Sequence, residues 1–153
     1  MILRPVNSPL EIIIDKEDYG KCKELNWFIN SEQIFANKDM KTISLSRFLL
    51  NYDGPLQVDH IDNNYLNNQK SNLRIVTRNQ NCMNRRKQAN TTSKYKGVAW
   101  NGSKWTSYIT VNRKRIYLGY YKLEKTAAKK YNEAALKYFG EFAHINKIEE
   151  GKK

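Results

Sequence analysis

Cysteine is scarce in this chain of 153 residues. The two that occur, Cys22 and Cys82, are far apart in the sequence and form no Cys-x-x-Cys pair. Structural zinc sites need clustered cysteine or histidine ligands, and the disulfide frameworks of small secreted proteins need more than two cysteines. We therefore expect no structural zinc, no disulfide, and two reduced thiols that serve packing alone.

Long apolar stretches are also missing. No run approaches the roughly 18 apolar residues of a membrane-spanning helix, so we expect no membrane partner. The segment Met1–Pro5 includes an arginine and a proline, and it lacks the apolar region of a secretory signal peptide. The sequence accordingly predicts an intracellular protein.

Acidic residues are few relative to basic ones. The 15 acidic and 27 basic residues give a net charge of +12, which indicates a polyanionic partner because neutralising phosphates releases condensed counterions. Before Thr92 there are 13 basic and 10 acidic residues, net +3, and from Thr92 on there are 14 and 5, net +9. A mean hydropathy of −0.78 leaves little apolar material for one large core, so two small modules are expected.

The first 50 residues predict a β-rich segment without evident chemistry. Leu10–Ile14 is an apolar run typical of a buried strand. Trp27–Asn30, Gln33–Asn37 and Thr42–Leu45 are separated by turn residues and predict a small meander. Arg47–Leu50 is expected to begin a short helix.

The middle of the chain predicts a strand-loop-strand-helix unit. Two short apolar stretches, Leu56–Val58 and Leu73–Val76, flank a loop rich in asparagine, a residue that favours turns and bonds to the backbone. Thr77 is a suitable N-cap for a helix from Arg78 to about Arg86. His60 follows an aspartate in this polar region, which favours a catalytic role over a structural one.

This unit resembles the HNH motif of the ββα-metal endonucleases in its His-Asn-Asn form. The pattern is Val-Asp-His-Ile-Asp-x-Asn-x-Leu-x-Asn, followed by Ser-Asn-Leu-Arg and Thr-Arg-x-x-Asn. His60 matches the first histidine, Asn72 the central asparagine and Asn81 the helical residue. Asp59 matches the preceding metal-binding acid. The resemblance implies a nuclease of the homing type, encoded by a phage or an intron and working in the cytoplasm of a bacterial, possibly phage-infected, host.

The residue types agree with phosphodiester hydrolysis. His60 is suited to be the general base, because imidazole accepts protons near neutral pH. Asp59 and Asn81 offer oxygen ligands, which suit one divalent metal ion, Mg²⁺ or Mn²⁺. Asn72 is expected to orient the imidazole. Arginines that could clamp the phosphate backbone, or equally be surface charges, are Arg74, Arg78 and Arg85.

The last third predicts a three-stranded sheet followed by one helix. The strands are expected at Tyr95–Asn101, Lys104–Asn112 and Lys114–Tyr121, with connections short enough for hairpins. Alternation assigns one face to the core, formed by Trp105, Ser107, Ile109, Val111, Ile116, Leu118 and Tyr120. Helical periodicity follows in Ala127, Ala128, Tyr131, Ala134, Ala135, Tyr138 and Phe139, before Gly140 ends the helix.

This module resembles the plant APETALA/ethylene-response-factor DNA-binding domain. The matching pieces are Tyr95-Lys96-Gly97-Val98, Lys104-Trp105, Arg115-Ile116-Tyr117-Leu118-Gly119, Phe139-Gly140 and Ala143-His144-Ile145-Asn146. In that family the sheet enters the major groove of double-stranded DNA. The resemblance therefore implies the DNA-facing residues Lys96, Lys104, Tyr108, Thr110, Arg115 and Tyr117. Ala99 and Asn101 stand where the plant family has arginines, so its preference for G-rich sites does not carry over.

The overall prediction is an α+β protein: an N-terminal β-rich segment, a ββα-metal HNH unit, and a three-stranded antiparallel sheet packed on one C-terminal helix. The predicted division is a nuclease domain at 1–87 with its motif at 56–87, a basic linker at 88–94, a DNA-binding domain at 95–147 and a basic tail at 148–153. We expect a site-specific, metal-dependent DNA endonuclease, monomeric with a dimer as the alternative.

Two other functions stay open on the sequence. The metal ligands are sparse and Ser46 stands where many relatives have a histidine, so a non-cleaving DNA-binding regulator on an HNH scaffold is one alternative. A basic RNA-binding or structural protein is the other, since charge alone does not distinguish nucleic acids.

Overall fold

The computed structural model describes residues 1–87 and 91–149. These residues form an α+β fold with several small antiparallel sheets, as predicted. The chain divides into two compact units, residues 1–81 and 82–153. Within the described ranges, no helix is both long and apolar enough to cross a membrane.

The first unit begins with small sheets around an apolar core. Strand β1 (Ile2–Leu3) pairs with β2 (Ile12–Ile13), and helix α1 (Tyr19–Cys22) follows. The predicted meander is present as β3 (Phe28–Asn30), β4 (Gln33–Lys38) and β5 (Lys41–Ser44), which lead into helix α2 (Leu45–Leu49). Fully or almost fully buried core side chains are Ile12, Ile14, Cys22, Trp27, Ile34, Leu45 and Leu49.

The predicted strand-loop-strand-helix unit is also present. Strand β6 (Gln57–His60) pairs antiparallel with β7 (Leu73–Val76), and helix α3 (Arg78–Asn84) follows. Thr77 caps this helix, because its Oγ1 accepts the Gln80 N–H at 3.3 Å and the Gln80 Oε1 accepts the Thr77 N–H at 2.8 Å. This reciprocal capping box fixes the start of α3, which ends two residues before the predicted Arg86.

The second unit packs one helix on a three-stranded sheet. Strands β8 (Val98–Trp100), β9 (Trp105–Val111) and β10 (Lys114–Tyr121) form a sheet in the order β10-β9-β8. Helix α4 (Glu124–Phe139) buries the predicted stripe Ala127, Ala128, Tyr131, Ala134, Ala135 and Phe139. Tyr138, which was assigned to that stripe, lies outside it and is exposed. The small alanines let α4 lie close to the sheet.

A β-bulge in β10 places Tyr120 on the opposite face of the sheet from the one predicted. The pairing of β10 with β9 shifts between Tyr117 and Gly119, so Tyr117 lies opposite Tyr108 whereas Tyr120 lies opposite Thr106. The extra residue reverses the alternation beyond it. Tyr120 therefore shares the outer face with Tyr117 and is 60% exposed, although unbroken alternation assigned it to the core.

The predicted domain limits are only partly visible. Residues 88–90 of the linker and 150–153 of the tail lie outside the described residues. At the linker's other end, Ser93 is buried and donates to the Glu124 carboxylate at 2.7 Å, while the Thr92 hydroxyl accepts the Trp100 N–H at 2.9 Å. The end of the predicted linker is thus bonded to the second unit.

Candidate functional site

His60 is the last residue of β6 and is partly buried. Its Nε2 lies 3.1 Å from the Oδ1 of Asn68, which is 2% exposed. The Asn68 Nδ2 donates to the Tyr65 carbonyl at 2.8 Å, and its backbone N–H donates to the Ile13 carbonyl at 2.7 Å. The predicted general base is therefore bonded to a buried amide that is itself fixed at two further points.

Asp62 organises the asparagine loop. Its Oδ1 accepts the Asn64 N–H at 2.7 Å and the Asn72 Nδ2 at 2.9 Å, and its Oδ2 accepts the Asn67 Nδ2 at 2.9 Å. Burial alone would raise the pKa of Asp62, but these hydrogen bonds and the nearby His60 lower it below its ordinary value. The carboxylate thus stays ionised and holds the loop in one conformation.

Asn72 was predicted to bond to the imidazole of His60, but in the structure its side chain supports the asparagine loop. Its Oδ1 accepts the Asp62 N–H at 3.1 Å, and its Nδ2 donates to the Asp62 carboxylate and to the Asn67 carbonyl. The amide bonded to the His60 Nε2 belongs to Asn68, which sequence matching did not select. The Asn-rich composition gave no signal that could have singled out this position.

Asp59 forms a buried ion pair with Arg74. The two residues are cross-strand partners in β6 and β7, and the Arg74 Nε and Nη2 donate to the Asp59 Oδ2 at 2.9 and 2.8 Å. Arg74, predicted as a phosphate clamp, instead neutralises the predicted metal ligand, and its side chain is 13% exposed.

Asn81 lies on the same side of β6 as Asp59. Its Nδ2 donates to the Gln57 Oε1 at 2.8 Å, and Gln57 shares a strand face with Asp59. A carboxylate and an amide oxygen are hard donors that suit Mg²⁺ or Mn²⁺. No group of three or more histidine, cysteine or acidic side chains in the described ranges could hold a metal, so the donor set is small. Together Asp59 and Asn81 would supply two oxygen ligands to such a cation.

The remaining predicted arginines are at the surface. Arg78 is exposed in the first turn of α3, and Arg85 is exposed just after the last residue of that helix. Their exposure is compatible with phosphate contacts and equally with solvated charges.

The outer face of the second unit's sheet carries most of the predicted DNA-facing residues. Tyr108 pairs with Tyr117 and Thr110 with Arg115 across β9 and β10. The Arg115 guanidinium lies 4.3 Å from the centre of the Tyr108 ring. Lys104, which immediately precedes β9, is exposed as well. These side chains and the additional Tyr120 form a basic and aromatic surface that α4 does not cover.

Lys96 is an exception among the predicted DNA-facing residues. Its Nζ donates to the backbone carbonyls of Met83 and Arg85 at 2.8 and 2.6 Å. Burial lowers the pKa of Lys96 to about 8. The ammonium group therefore binds carbonyls at the end of α3, a position that cations favour, and is not presented on the sheet.

Comparisons with known proteins agree with the geometry of the first unit. The family model described as HNH endonuclease matches residues 52–83. An uncharacterized HNH endonuclease of Acanthamoeba polyphaga mimivirus is 36% identical over 135 residues, covering 80% of this chain and 67% of the relative. No solved structure matches the chain.

A second set of relatives matches a shorter part of the chain. Two AP2-like ethylene-responsive transcription factors of Arabidopsis thaliana are 36% and 40% identical over 55 residues, or 36% of this chain. The match covers only 18% and 13% of those proteins. The viral relative spans most of the chain, and the HNH endonuclease family model matches the segment of this chain that holds His60, Asn72 and Asn81. The chain belongs to the HNH endonuclease family.

Proposed function

We propose that this protein is a metal-dependent DNA endonuclease of the homing type that hydrolyses phosphodiester bonds. The observation that carries the proposal is the ββα unit itself. In this unit Asp59 and His60 are the last two residues of β6, His60 is bonded to a buried amide, and Asn81 is bonded to Gln57 of the same strand. Family membership supports the nuclease activity, and the basic outer face of the second sheet supports double-stranded DNA as the substrate.

In the proposed reaction His60 removes a proton from a water molecule as the water oxygen bonds to phosphorus. The bond from phosphorus to the 3′ oxygen then breaks, and that oxygen takes a proton from solvent. His60 returns its proton to solvent. Asp59 and Asn81 would hold a divalent cation, which supplies charge stabilisation on the phosphate and the leaving oxygen. Asp62 and Asn72 keep the loop in place.

The second unit supplies affinity in this proposal. Tyr108, Thr110, Arg115, Tyr117 and Lys104 would meet the DNA groove and backbone, in keeping with the similarity to plant transcription factors. One catalytic set cuts one strand, so a monomer is expected to nick.

Plasmid cleavage in Mg²⁺ or Mn²⁺ tests the nuclease function. His60→Ala is expected to lower the single-turnover nicking rate by about 100-fold or more, because it removes the general base. The chain's only other histidine, His144, lies in the second unit, and His144→Ala is the matched control. Full activity of His60→Ala would refute the mechanism.

The Asp59 to Arg74 ion pair favours one alternative, a DNA-binding regulator that does not cut. The pair shields the only carboxylate among the four motif residues, so it opposes cation binding. Tight binding to duplex DNA without nicking in Mg²⁺ or Mn²⁺ would support this alternative. Duplex RNA at the same salt concentration serves as the competitor that separates DNA from RNA binding.

A further inference from the structure

Asn68 is the most completely enclosed polar side chain of the asparagine loop. It is 2% exposed, and it is linked to the N-terminal strands through its own backbone. The Asn68 N–H donates to the Ile13 carbonyl at 2.7 Å, and the Ile13 N–H donates to the Leu66 carbonyl at 2.8 Å. These two hydrogen bonds make Asn67 and Ile13 an isolated parallel bridge. The backbone on both sides of Asn67 is thus bonded to Ile13, which fixes the position from which the Asn68 side chain extends.

The partners of the Asn68 side chain fix its orientation. The Tyr65 carbonyl can only accept a hydrogen bond, so the group facing it at 2.8 Å is the Asn68 NH₂. The Asn68 carbonyl oxygen therefore faces the His60 Nε2, at 3.1 Å. Exchanging the two ends of the amide would place an acceptor against the Tyr65 carbonyl in a buried site, which is unfavourable.

This orientation decides which nitrogen of the neutral imidazole carries hydrogen. An amide oxygen accepts and cannot donate, so the His60 Nε2 must be the donor of the 3.1 Å bond. A neutral imidazole has one N–H, and its lone pair then lies on Nδ1. The bond to Asn68 thus makes Nδ1 the nitrogen that can take a proton.

We propose that Asn68 is the positioning residue of the general base: it holds neutral His60 in the Nε2–H form so that Nδ1 receives the proton of the attacking water. This proposal deepens the nuclease function and rests on it. Asn68 acts through His60 and does not itself touch the substrate. When Nδ1 takes the proton, the Asn68 oxygen continues to accept from Nε2, so the imidazolium needs no reorientation during the step.

The tautomer can be read directly from the full-length protein. Two-bond ¹H–¹⁵N correlation spectra of chain labelled with ¹⁵N-histidine, recorded where the imidazole is neutral, distinguish a protonated from an unprotonated ring nitrogen. The chain has two histidines, so His144→Gln assigns the His60 signals. We expect Nε2 protonated and Nδ1 unprotonated for His60. A His60 protonated at Nδ1, or an even mixture of the two forms, would overturn the proposal.

Substitutions separate positioning from general loop stability. Asn68→Ala is expected to give mixed tautomers and to lower the single-turnover nicking rate by about 10- to 100-fold, the usual effect of removing such a supporting residue. Asn67→Ala, which removes a loop bond to Asp62, is the matched control and should leave the tautomer unchanged.

The outcomes distinguish this proposal from the nuclease function. The spectra need neither DNA nor metal, so an Nε2–H His60 in a chain that cuts no DNA would count against the nuclease function alone. Unaltered cleavage and an unaltered tautomer in Asn68→Ala would overturn the positioning role while leaving the nuclease function standing. If Asn68→Ala does not fold, the spectrum of the unsubstituted chain still decides the tautomer.

Discussion

Arg74 and Asp59 show how a residue's neighbour changes its expected role. Sequence matching assigned Arg74 to the DNA backbone and Asp59 to a metal ion, whereas the structure joins the two in a buried pair. Both charges have left water, so each depends on the other. A cation bound at Asp59 would share that carboxylate with the guanidinium.

Replacing Arg74 by methionine should therefore destabilise the chain and improve its response to metal. Removing the guanidinium from the buried Asp59 carboxylate is expected to lower the free energy of unfolding by about 3 kcal/mol, measured by urea denaturation. Added Mn²⁺ should restore more stability to Arg74→Met than to the unsubstituted chain, because the carboxylate then lacks its cation. Arg78→Met, at an exposed position, is the control. An equal response to Mn²⁺ in all three proteins would show that Asp59 binds no metal.

Asp62 predicts a pH dependence of stability. Its pKa is lower in the folded chain than the ordinary value of 3.8, so its stabilising contribution is complete above that value. The contribution is lost as the pH falls from 3.8 through the lower folded pKa. The side chain is exposed, so we expect less than about 1 kcal/mol.

Denaturation of Asp62→Asn and the unsubstituted chain from neutral pH to below 3.8 tests this expectation. The stability difference between the two proteins should shrink as the solution becomes more acidic. A difference that stays constant over the whole range would mean that Asp62 has the same pKa in the folded and unfolded chains.

At the scale of elements, the bulge in β10 decides which aromatic side chains face outward. Gly119 has a φ of +125°, a region that residues with a side chain rarely adopt. A Cβ at Gly119 would also lie 2.9 Å from the Tyr121 hydroxyl. The glycine thus permits the extra residue that moves Tyr120 to the outer face.

Gly119→Ala is expected to lower the free energy of unfolding by about 1–3 kcal/mol and to weaken duplex DNA binding. The reason is that the bulge becomes strained and Tyr120 loses its outward position. Gly20→Ala is the control for stability, since Gly20 lies in helix α1 and its substitution meets no atom within 4 Å. Unchanged DNA affinity in a folded Gly119→Ala protein would argue against a DNA role for Tyr120.

Regular elements were predictable because their signals are local. Helix α4 follows from alanines and aromatics at helical spacing, and α3 follows from the Thr77 cap. The bulge was not predictable, because the alternation of apolar and polar residues along β10 does not show where an extra residue is inserted. The bond from Asn68 to His60 was also missed, because eight asparagines between Asn63 and Asn84 have similar local preferences and only tertiary contacts select one. Lys96 was predicted to face DNA, but its ammonium group binds carbonyls at the end of α3. The sequence around Lys96 does not show that the end of this helix lies beside it.

At the scale of the whole molecule, the division of charge predicts how DNA binding depends on salt. The residues from Thr92 on carry +9 of the net charge of +12, so electrostatic affinity should come mainly from this part of the chain. Tyrosines on the same face would contribute without counterion release. The two kinds of contact can therefore be separated in one titration.

Arg115→Ala should reduce the slope of log affinity against log salt concentration by about one, because one phosphate contact is lost. Tyr120→Ala should weaken binding at every salt concentration and leave the slope unchanged. Fluorescence anisotropy with a labelled duplex measures both effects. Lys129→Ala is the control, because Lys129 is an exposed residue of α4 and is not on the outer face of the sheet. Equal slopes for Arg115→Ala and the control would place Arg115 outside the phosphate-binding surface.

The contacts between the asparagine loop and the N-terminal strands bear on how such a motif can be inherited or transplanted. The family model begins at residue 52, yet the loop's anchors lie at Ile13 and at Asp15, whose carboxylate accepts the Lys70 N–H at 2.7 Å. Grafting residues 52–83 alone onto another protein would transfer His60 without Ile13 and Asp15, the residues that hold the asparagine loop. Recombination between relatives, or the design of a minimal nuclease, therefore has to move the N-terminal strands together with the motif. The segment that family matching identifies is smaller than the segment that holds the loop in place.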